Sequence, residues 1–450
     1  MGSILIFFLI YLQMHVLHGK TYFEQLKNRF EASFQDRCHN YPFVNQYLKR
    51  LADPGDRFVV FVWQEAGLQT GGLGDRLAGL ITAATMALRF NRTLLIESNT
   101  GSFGTMFQPY QINHAEPQYT YDWGAGGLAW DSYKKISSND TYLIDKTCIS
   151  CMPKSRRRIP LHKRCTDRCG LENGDVSQAV IKIYSNRAFL CKWVLNAKKI
   201  ASKQVTSLLG ISPQGNILEA AGCILRLFIW PTNLLWRYIA TELQKQTSLH
   251  QEYPENTDTN SPAGIQVGVH YRCGDTSYMF ENNNTTCDVS HTAGSPQDIA
   301  NCANEVLNSQ LSSFNPISRS PQLHTNSALN VLFISSDHEK SVLLINKAIA
   351  APSTIISPRG CHVDLNPLGD CSLITVGYWV ILATSHVIVT QTLRNNFWAP
   401  GFWGSPYSAF SRYAGVYGLQ GNSFRDATNC SRVVPFTEMG RLMMGNWYCS

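Results

Sequence analysis

Apolar positions along this chain follow two rhythms, and their order predicts two blocks of alternating strands and helices. Residues 58–63, Phe-Val-Val-Phe-Val-Trp, are a continuous apolar run of buried-strand length. A Gly-rich stretch follows, and Leu77 to Leu88, rich in Ala, Leu, Ile and Met, reads as a helix. Residues 91–97 read as the next strand, and Phe23 to Phe34 predicts a helix ahead of this unit. Residues 100–175 carry Tyr, Trp, Gly and Cys with little periodicity and read as a loop-rich insertion. Residues 176–246 read as helical, with Pro231 interrupting the run from Leu225 to Leu243. The polar segment 247–263, with Pro254 and Pro262, reads as a linker. Beyond it the pattern gives a strand at 264–272, a helix near 296–312, a strand at 330–336 and helices at 339–350 and 372–383. A strand at 386–391 and a helix at 406–417 close the series. Such alternation argues for parallel α/β layers, here an N-terminal half (20–246) and a C-terminal half (264–450) facing across a cleft.

The polar groups that matter stand at the ends of these strands. Residues 264–275 read Gly-Ile-Gln-Val-Gly-Val-His-Tyr-Arg-Cys-Gly-Asp. Ile265, Val267 and Val269 alternate as in a strand, which delivers His270 and Arg272 to its C-terminal end on one face. Open α/β sheets bind ligands outside the carboxyl ends of their strands. An Arg there can grip a phosphate with two parallel hydrogen bonds. Its bland alternative is an ion pair with Asp275.

The first strand leads into Thr70-Gly-Gly-Leu-Gly-Asp-Arg-Leu-Ala-Gly79. Glycines at a strand-to-helix turn let backbone approach a ligand, and the following helix N-terminus favours anions. No Lys-Ser/Thr follows, so this is not a Walker A loop, and Gly72-Leu-Gly74 lacks the third glycine of a dinucleotide fingerprint. Downstream, Asn330-Val-Leu-Phe-Ile-Ser-Ser-Asp337 is a strand ending in polar residues, and Pro406-Tyr-Ser-Ala-Phe-Ser-Arg-Tyr-Ala414 places hydroxyls at a helix start. Each Ser there also suits a simple N-cap.

His-x-Arg-x-Gly-Asp at 270–275 resembles the nucleotide-sugar motif of the α1,2/α1,6/protein-O-fucosyltransferase superfamily. The Gly-rich loop followed by "Asn-Arg-Thr-Leu", the strand ending at Asp337 and the Ser-x-Phe-Ser segment at 408–411 resemble further parts of it, in family order across about residues 58–418. The chain departs from the family pattern at Asp75, where many members carry Asn, and at Cys273. The resemblance implies a GT-B arrangement of two Rossmann-like halves, with GDP-fucose held by the C-terminal one. It implies that Arg272 serves as the electrophile on the β-phosphate and that His270 and Asp337 orient guanosine. Ser408 and Ser411 would reach phosphate, and Gly72, Gly74, Asp275 and Phe410 complete the donor-binding set. The candidates for a base that takes the acceptor proton are Glu65 and Asp75; Glu65 could also be a solvated loop carboxylate, and Asp75 a helix cap. The loop-rich insertion becomes a candidate acceptor-binding region.

Composition narrows the setting. The chain has 450 residues, 44% hydrophobic and 16% charged, the balance of a packed globular protein. Its net charge of +7 suits an anionic donor. The basic run Arg156-Arg157-Arg158 sits in a Cys-rich segment and reads as a solvated loop, so nucleic-acid binding is not expected. Ile4 to Leu17 is apolar and too short for a transmembrane helix; residues 1–19 read as a signal peptide or a short membrane anchor. Fourteen cysteines and sequons at Asn91, Asn139, Asn283, Asn284 and Asn429 agree with a secretory route, to the ER or Golgi lumen or beyond. Cys148/Cys151 has zinc-finger spacing and Cys165/Cys169 a looser one, and together they could bind zinc, yet an oxidising lumen favours disulfides.

The expectation is an inverting, metal-independent glycosyltransferase that moves fucose from GDP-fucose to a hydroxyl of a glycan or protein. The chain contains no Asp-x-Asp clamp, no metal site is expected, and GDP-fucose serves as substrate with no separate cofactor. Two alternatives remain at this point: a catalytically inactive glycan- or glycoprotein-binding module on the same scaffold, and a GT-B transferase for another nucleotide sugar.

Overall fold

The structure is a computed structural model. It describes residues 24, 26–52, 55–63, 73–98, 104, 106–110, 133–144, 149–151, 165–167, 176–184, 207, 217–248, 266–273, 294–313, 331–349, 353–356, 370–391, 409–419 and 424–434. Helix α1 (26–38) and α2 (Pro42–Ala52) precede the first sheet. That sheet is built from β1 (Phe58–Trp63), β2 (Thr93–Ser98), β4 (Thr141–Ile144) and β7 (Val180–Ile183) in the order β2-β1-β7-β4, all parallel. Two short antiparallel pairs lie outside it: β3 (Phe107–Gln108) with β8 (Trp230–Pro231), and β5 (Ile149–Cys151) with β6 (Cys165–Asp167). Cys151 and Cys165 stand opposite each other in the second pair; Cys148 and Cys169 lie outside the described residues.

The apolar run of β1 is buried on both faces. Val59, Phe61 and Trp63 join the main core, while Phe58 and Val60 meet Leu95 and Val180 on the other side. Helix α3 (Leu73–Arg89) packs on β1 and β2 from the main-core side. Its partners there include α4 (Ile217–Phe228), and α5 (Asn233–Ser248) follows after the break at Pro231.

The second sheet contains β9 (Gln266–Tyr271), β10 (Val331–Ser336), β11 (Ser353–Ile356), β12 (Val387–Thr390), β13 (Phe424–Asp426) and β14 (Asn429–Val434). Its order is β11-β10-β9-β12-β13-β14, parallel except for the last pair. Counted along this half, the order is 3-2-1-4-5-6, the doubly wound arrangement whose direction of winding reverses between β9 and β12. Its helices divide accordingly. Helices α6 (Pro296–Ser313) and α7 (Glu339–Ala348) cover the face that carries Val267, Val269, Tyr271, Leu332 and Ile334. Helices α8 (Asp370–Ala383) and α9 (Ala409–Gly418) cover the other. A glycine is required on that second face: a Cβ on Gly268 would stand 2.4 Å from Ser385 Oγ and 2.6 Å from Leu382 Cδ1.

The two halves share one core. Helix α9 packs on α3 and α4 as well as on α8, and a Cβ on Gly222 of α4 would lie 2.2 Å from the carbonyl oxygen of Val416. The Arg226 guanidinium, fully buried, ties this junction together. It donates to Tyr417 O at 2.5 Å and Gly418 O at 3.1 Å in the last turn of α9, and to Phe30 O at 2.6 Å and Ser33 Oγ at 2.7 Å in α1. Its plane also lies 3.8 Å from the ring centroid of Phe30. Among the described residues, two disulfides bind distant segments, Cys38–Cys223 between α1 and α4 and Cys302–Cys430 between α6 and β14. Helix α5, sequentially in the N-terminal half, packs on α8 and β11 of the C-terminal one.

Several boundaries differ from the sequence reading. Within 176–246, read as helical, Val180–Ile183 is instead a central strand, because its branched residues fill the slot between β1 and β4. Lys182 breaks the apolar pattern there and pairs with Glu97 at 2.7 Å. The strand expected from 91 starts at Thr93; Asn91 has φ 52 and ends the turn that leaves α3. Helix α1 continues to residue 38, past the expected end at Phe34. Strands β3, β4, β5, β6, β8, β11, β13 and β14 were not expected.

Candidate functional site

Strands β9, β10 and β12 bring their C-terminal ends together at the point where the winding reverses. Register fixes what meets there: Ser335, His270, Thr390 and Asp426 occupy one row across β10, β9, β12 and β13. All four are buried polar residues. Neighbours in a row of a parallel sheet point to the same face, and His270 identifies that face. Its imidazole stacks on Phe410 of α9, with centroids 5.1 Å apart and planes inclined by 27°. Thr390 Oγ1 lies 3.3 Å from Ser411 Oγ, one residue further along that helix, and Trp379 Nε1 donates to Phe410 O at 3.2 Å. The first turn of α9 is thus held against the ends of β9 and β12.

Burial pushes the pKa of His270 down to about 3, and the Arg272 charge nearby lowers it further. The imidazole is therefore neutral at physiological pH. Its Nδ1 is buried with no hydrogen-bond partner among the described residues. Arg272 follows β9 directly and is half-buried. The peptide that joins it to Cys273 is held on both sides. Gln391 Nε2, from the residue after β12, donates to Arg272 O. Cys273 N donates to Asp337 Oδ1 at 2.6 Å, from the residue after β10. Asp337 is itself buried, beside Ser336 Oγ, which accepts from His338 N at 3.1 Å. His338 caps α7 through Nδ1, which accepts from Ser341 N at 3.3 Å.

Of the residues singled out from the sequence, His270, Arg272, Asp337, Phe410 and Ser411 converge on this edge. Gly74 is buried in the first turn of α3 rather than in a turn before it, because the helix already begins at Leu73. Asp75 lies within that same turn, so it is not the helix cap that was the alternative to its role as a base; its side chain is outside the described set. Glu65, Gly72, Asp275 and Ser408 lie outside the described residues. Ser335, Thr390 and Gln391 were missed. The signal for Ser335 and Thr390 was available in principle: each strand turns polar at its last residues. Gln391 offered no local signal, since its partner depends on strand order. Among the described residues no group of three His, Cys, Asp or Glu side chains could hold a metal ion.

Comparison of the sequence with protein-family models and with curated proteins finds no match. Solved structures of similar arrangement include a GDP-bound mutant of FUT1 from Arabidopsis thaliana, at 14% identity and a TM-score of 0.42 over 90% of this chain and 79% of that one. The fucosyltransferase NodZ from Bradyrhizobium is similar at 15% identity and a TM-score of 0.36, over 82% of this chain and 95% of its own. POFUT1 in complex with GDP is similar at 11% identity and a TM-score of 0.35, over 82% and 96%. At this level of likeness, function is read from the site's own residues.

Proposed function

We propose that this chain is a glycosyltransferase that moves fucose from GDP-fucose to a hydroxyl of a glycan or protein, with inversion and without a metal. The observation that carries the reading is the placement of Arg272. It leaves β9 at the winding reversal of a doubly wound sheet, two residues after a neutral, stacked His270. The order His-x-Arg-x-Gly-Asp at that place matches the nucleotide-sugar motif described above.

In this reading the acceptor oxygen attacks the anomeric carbon and the bond from that carbon to the β-phosphate oxygen breaks. The electron pair leaves with GDP, and the acceptor proton passes to a carboxylate, Glu65 or Asp75. Negative charge grows on the departing phosphate, and Arg272 meets it with a two-pronged guanidinium. Neutral His270 contacts the donor as a hydrogen-bonding group without adding charge. Asp337 stands beside the nucleoside, and Ser408, Ser411 and the first-turn amides of α9 stand beside phosphate. The disulfides Cys38–Cys223 and Cys302–Cys430 support residence in an oxidising compartment of the secretory pathway.

The test is nucleotide release from a panel of GDP- and UDP-sugars by the purified chain, with and without excess EDTA. GDP release from GDP-fucose alone, undiminished by EDTA, is the expected result. GDP-fucose binding without turnover against any acceptor would mark an inactive binding module, and preference for another sugar nucleotide would reassign the donor.

A further inference from the structure

The carbonyl of Arg272 and the amide of Cys273 belong to one peptide unit, and both are held by side chains. Beyond the last residue of β9 the backbone ladder has ended on both sides. Gln391 replaces the missing donor from the β12 side, and Asp337 the missing acceptor from the β10 side. A carbonyl only accepts, so the amide nitrogen of Gln391 must face it, which leaves Oε1 pointing elsewhere. That oxygen is buried with no partner among the described residues, on a side chain 1% exposed. The amide nitrogen is the end of this side chain that meets a partner among the described residues.

We propose that Gln391 is a positioning residue: with Asp337 it clamps the Arg272–Cys273 peptide from both flanking strands, and so sets the direction in which the Arg272 side chain leaves the sheet. The proposal rests on the reading of Arg272 as the phosphate-binding group. Rotation about the N–Cα bond of Arg272 carries both its side chain and this peptide, so holding the peptide also holds the direction of Cβ and of the guanidinium. A displaced catalytic group loses rate even when its chemistry is intact.

The test compares wild type with Gln391→Met, which keeps the volume and removes the donor, and Gln391→Glu. With GDP-fucose, Gln391→Met is expected to lose about 10- to 100-fold in kcat. GDP should still bind, by calorimetry, with full stoichiometry. Gln391→Glu should be impaired at neutral pH and recover relative to wild type as the pH falls, because a protonated carboxyl regains a donor for Arg272 O. Wild-type kcat in Gln391→Met overturns the proposal. So does a loss of rate matched by an equal loss of binding stoichiometry, which would mark a folding defect. If the wild-type chain neither binds GDP nor turns over GDP-fucose, the functional reading itself fails. The clamp is then judged by hydrogen exchange: the Cys273 amide should exchange at least about 10-fold faster in Gln391→Met than in wild type, with the amides of β9 unchanged. Equal exchange at Cys273 overturns it.

Discussion

His270 and Phe410 lie ring against ring, 5.1 Å between centroids, so that a residue at the end of a strand and a residue at the start of a helix share one buried contact. The contact leaves the imidazole 6% exposed. Its pKa, lowered to about 3 mainly by burial, sets how stability depends on pH. Below about 6.5 the unfolded chain takes up a proton at this His while the folded chain does not. The unfolded state then binds more protons, so stability falls as the pH drops from about 6.5 toward 3, by at most about 1.4 kcal/mol per pH unit from this group. Denaturation midpoints at pH 7, 6 and 5 should fall more steeply in wild type than in His270→Gln. Parallel curves would show that His270 does not resist protonation in the folded state.

Arg272→Ala should reduce fucosyl transfer by at least about 100-fold, the range seen when one preorganised donor to a developing negative charge is removed. Arg272→Lys keeps the charge and loses the planar fork, and should be nearly as damaging. Circular dichroism and the thermal midpoint should change little, because the side chain is only half-buried. A well-folded Arg272→Ala with near-normal turnover removes the phosphate role. An unfolded one assigns Arg272 a structural task.

Arg226 should matter for stability instead. Burial pushes its pKa down to about 9, so it stays charged at neutral pH while bonded to three carbonyl oxygens and a hydroxyl. Arg226→Met leaves those oxygens unmet in a buried junction, at a cost of about 3 kcal/mol or more. Arg226→Lys cannot span the same set of acceptors and should also be destabilised. Urea unfolding of the two variants provides the measurement, and a loss below about 1 kcal/mol in both would show the junction to be held by its apolar contacts.

The two described disulfides close chain segments of 185 and 128 residues. Loops of that size give large chain-entropy effects in the unfolded state, so replacing either pair by Ala should cost about 2–5 kcal/mol. Non-reducing peptide mapping should recover Cys38 linked to Cys223 and Cys302 linked to Cys430. Free thiols at these four positions in protein from an oxidising host would contradict both the pairing and the compartment.

Much of the second half was legible because its strands are continuous apolar runs with polar ends. The alternation through Val267 and Val269 fixed the face on which His270 would lie, and the strand to Ser336 announced Asp337. The first sheet was harder. Val180–Ile183 is four residues long with a Lys inside it, and only its slot between β1 and β4 makes it a strand. Strand order was the larger gap. That Ser335, His270 and Thr390 form one row, and that Gln391 reaches the backbone of Arg272, follow from which strands flank β9. Residues 65 positions apart (Ser335 and His270) and 119 apart (Gln391 and Arg272) meet there through register, and local sequence carries no trace of it.

The packing of α9 against α3 and α4 bears on how this molecule could move. A two-lobed transferase is easily pictured as a pair of jaws swinging on a connecting strap. Here the lobes are fused at the root: Gly222 lets α4 touch the backbone of α9, Arg226 bolts that helix to α1, and α5 crosses over to lie on the opposite lobe. Swinging the lobes apart would break buried cation and backbone contacts and open the main core to water. The same fusion means that the chain cannot be cut between its sheets into two autonomous pieces. Each fragment would carry an unfinished face, and the molecule should melt as a single cooperative body.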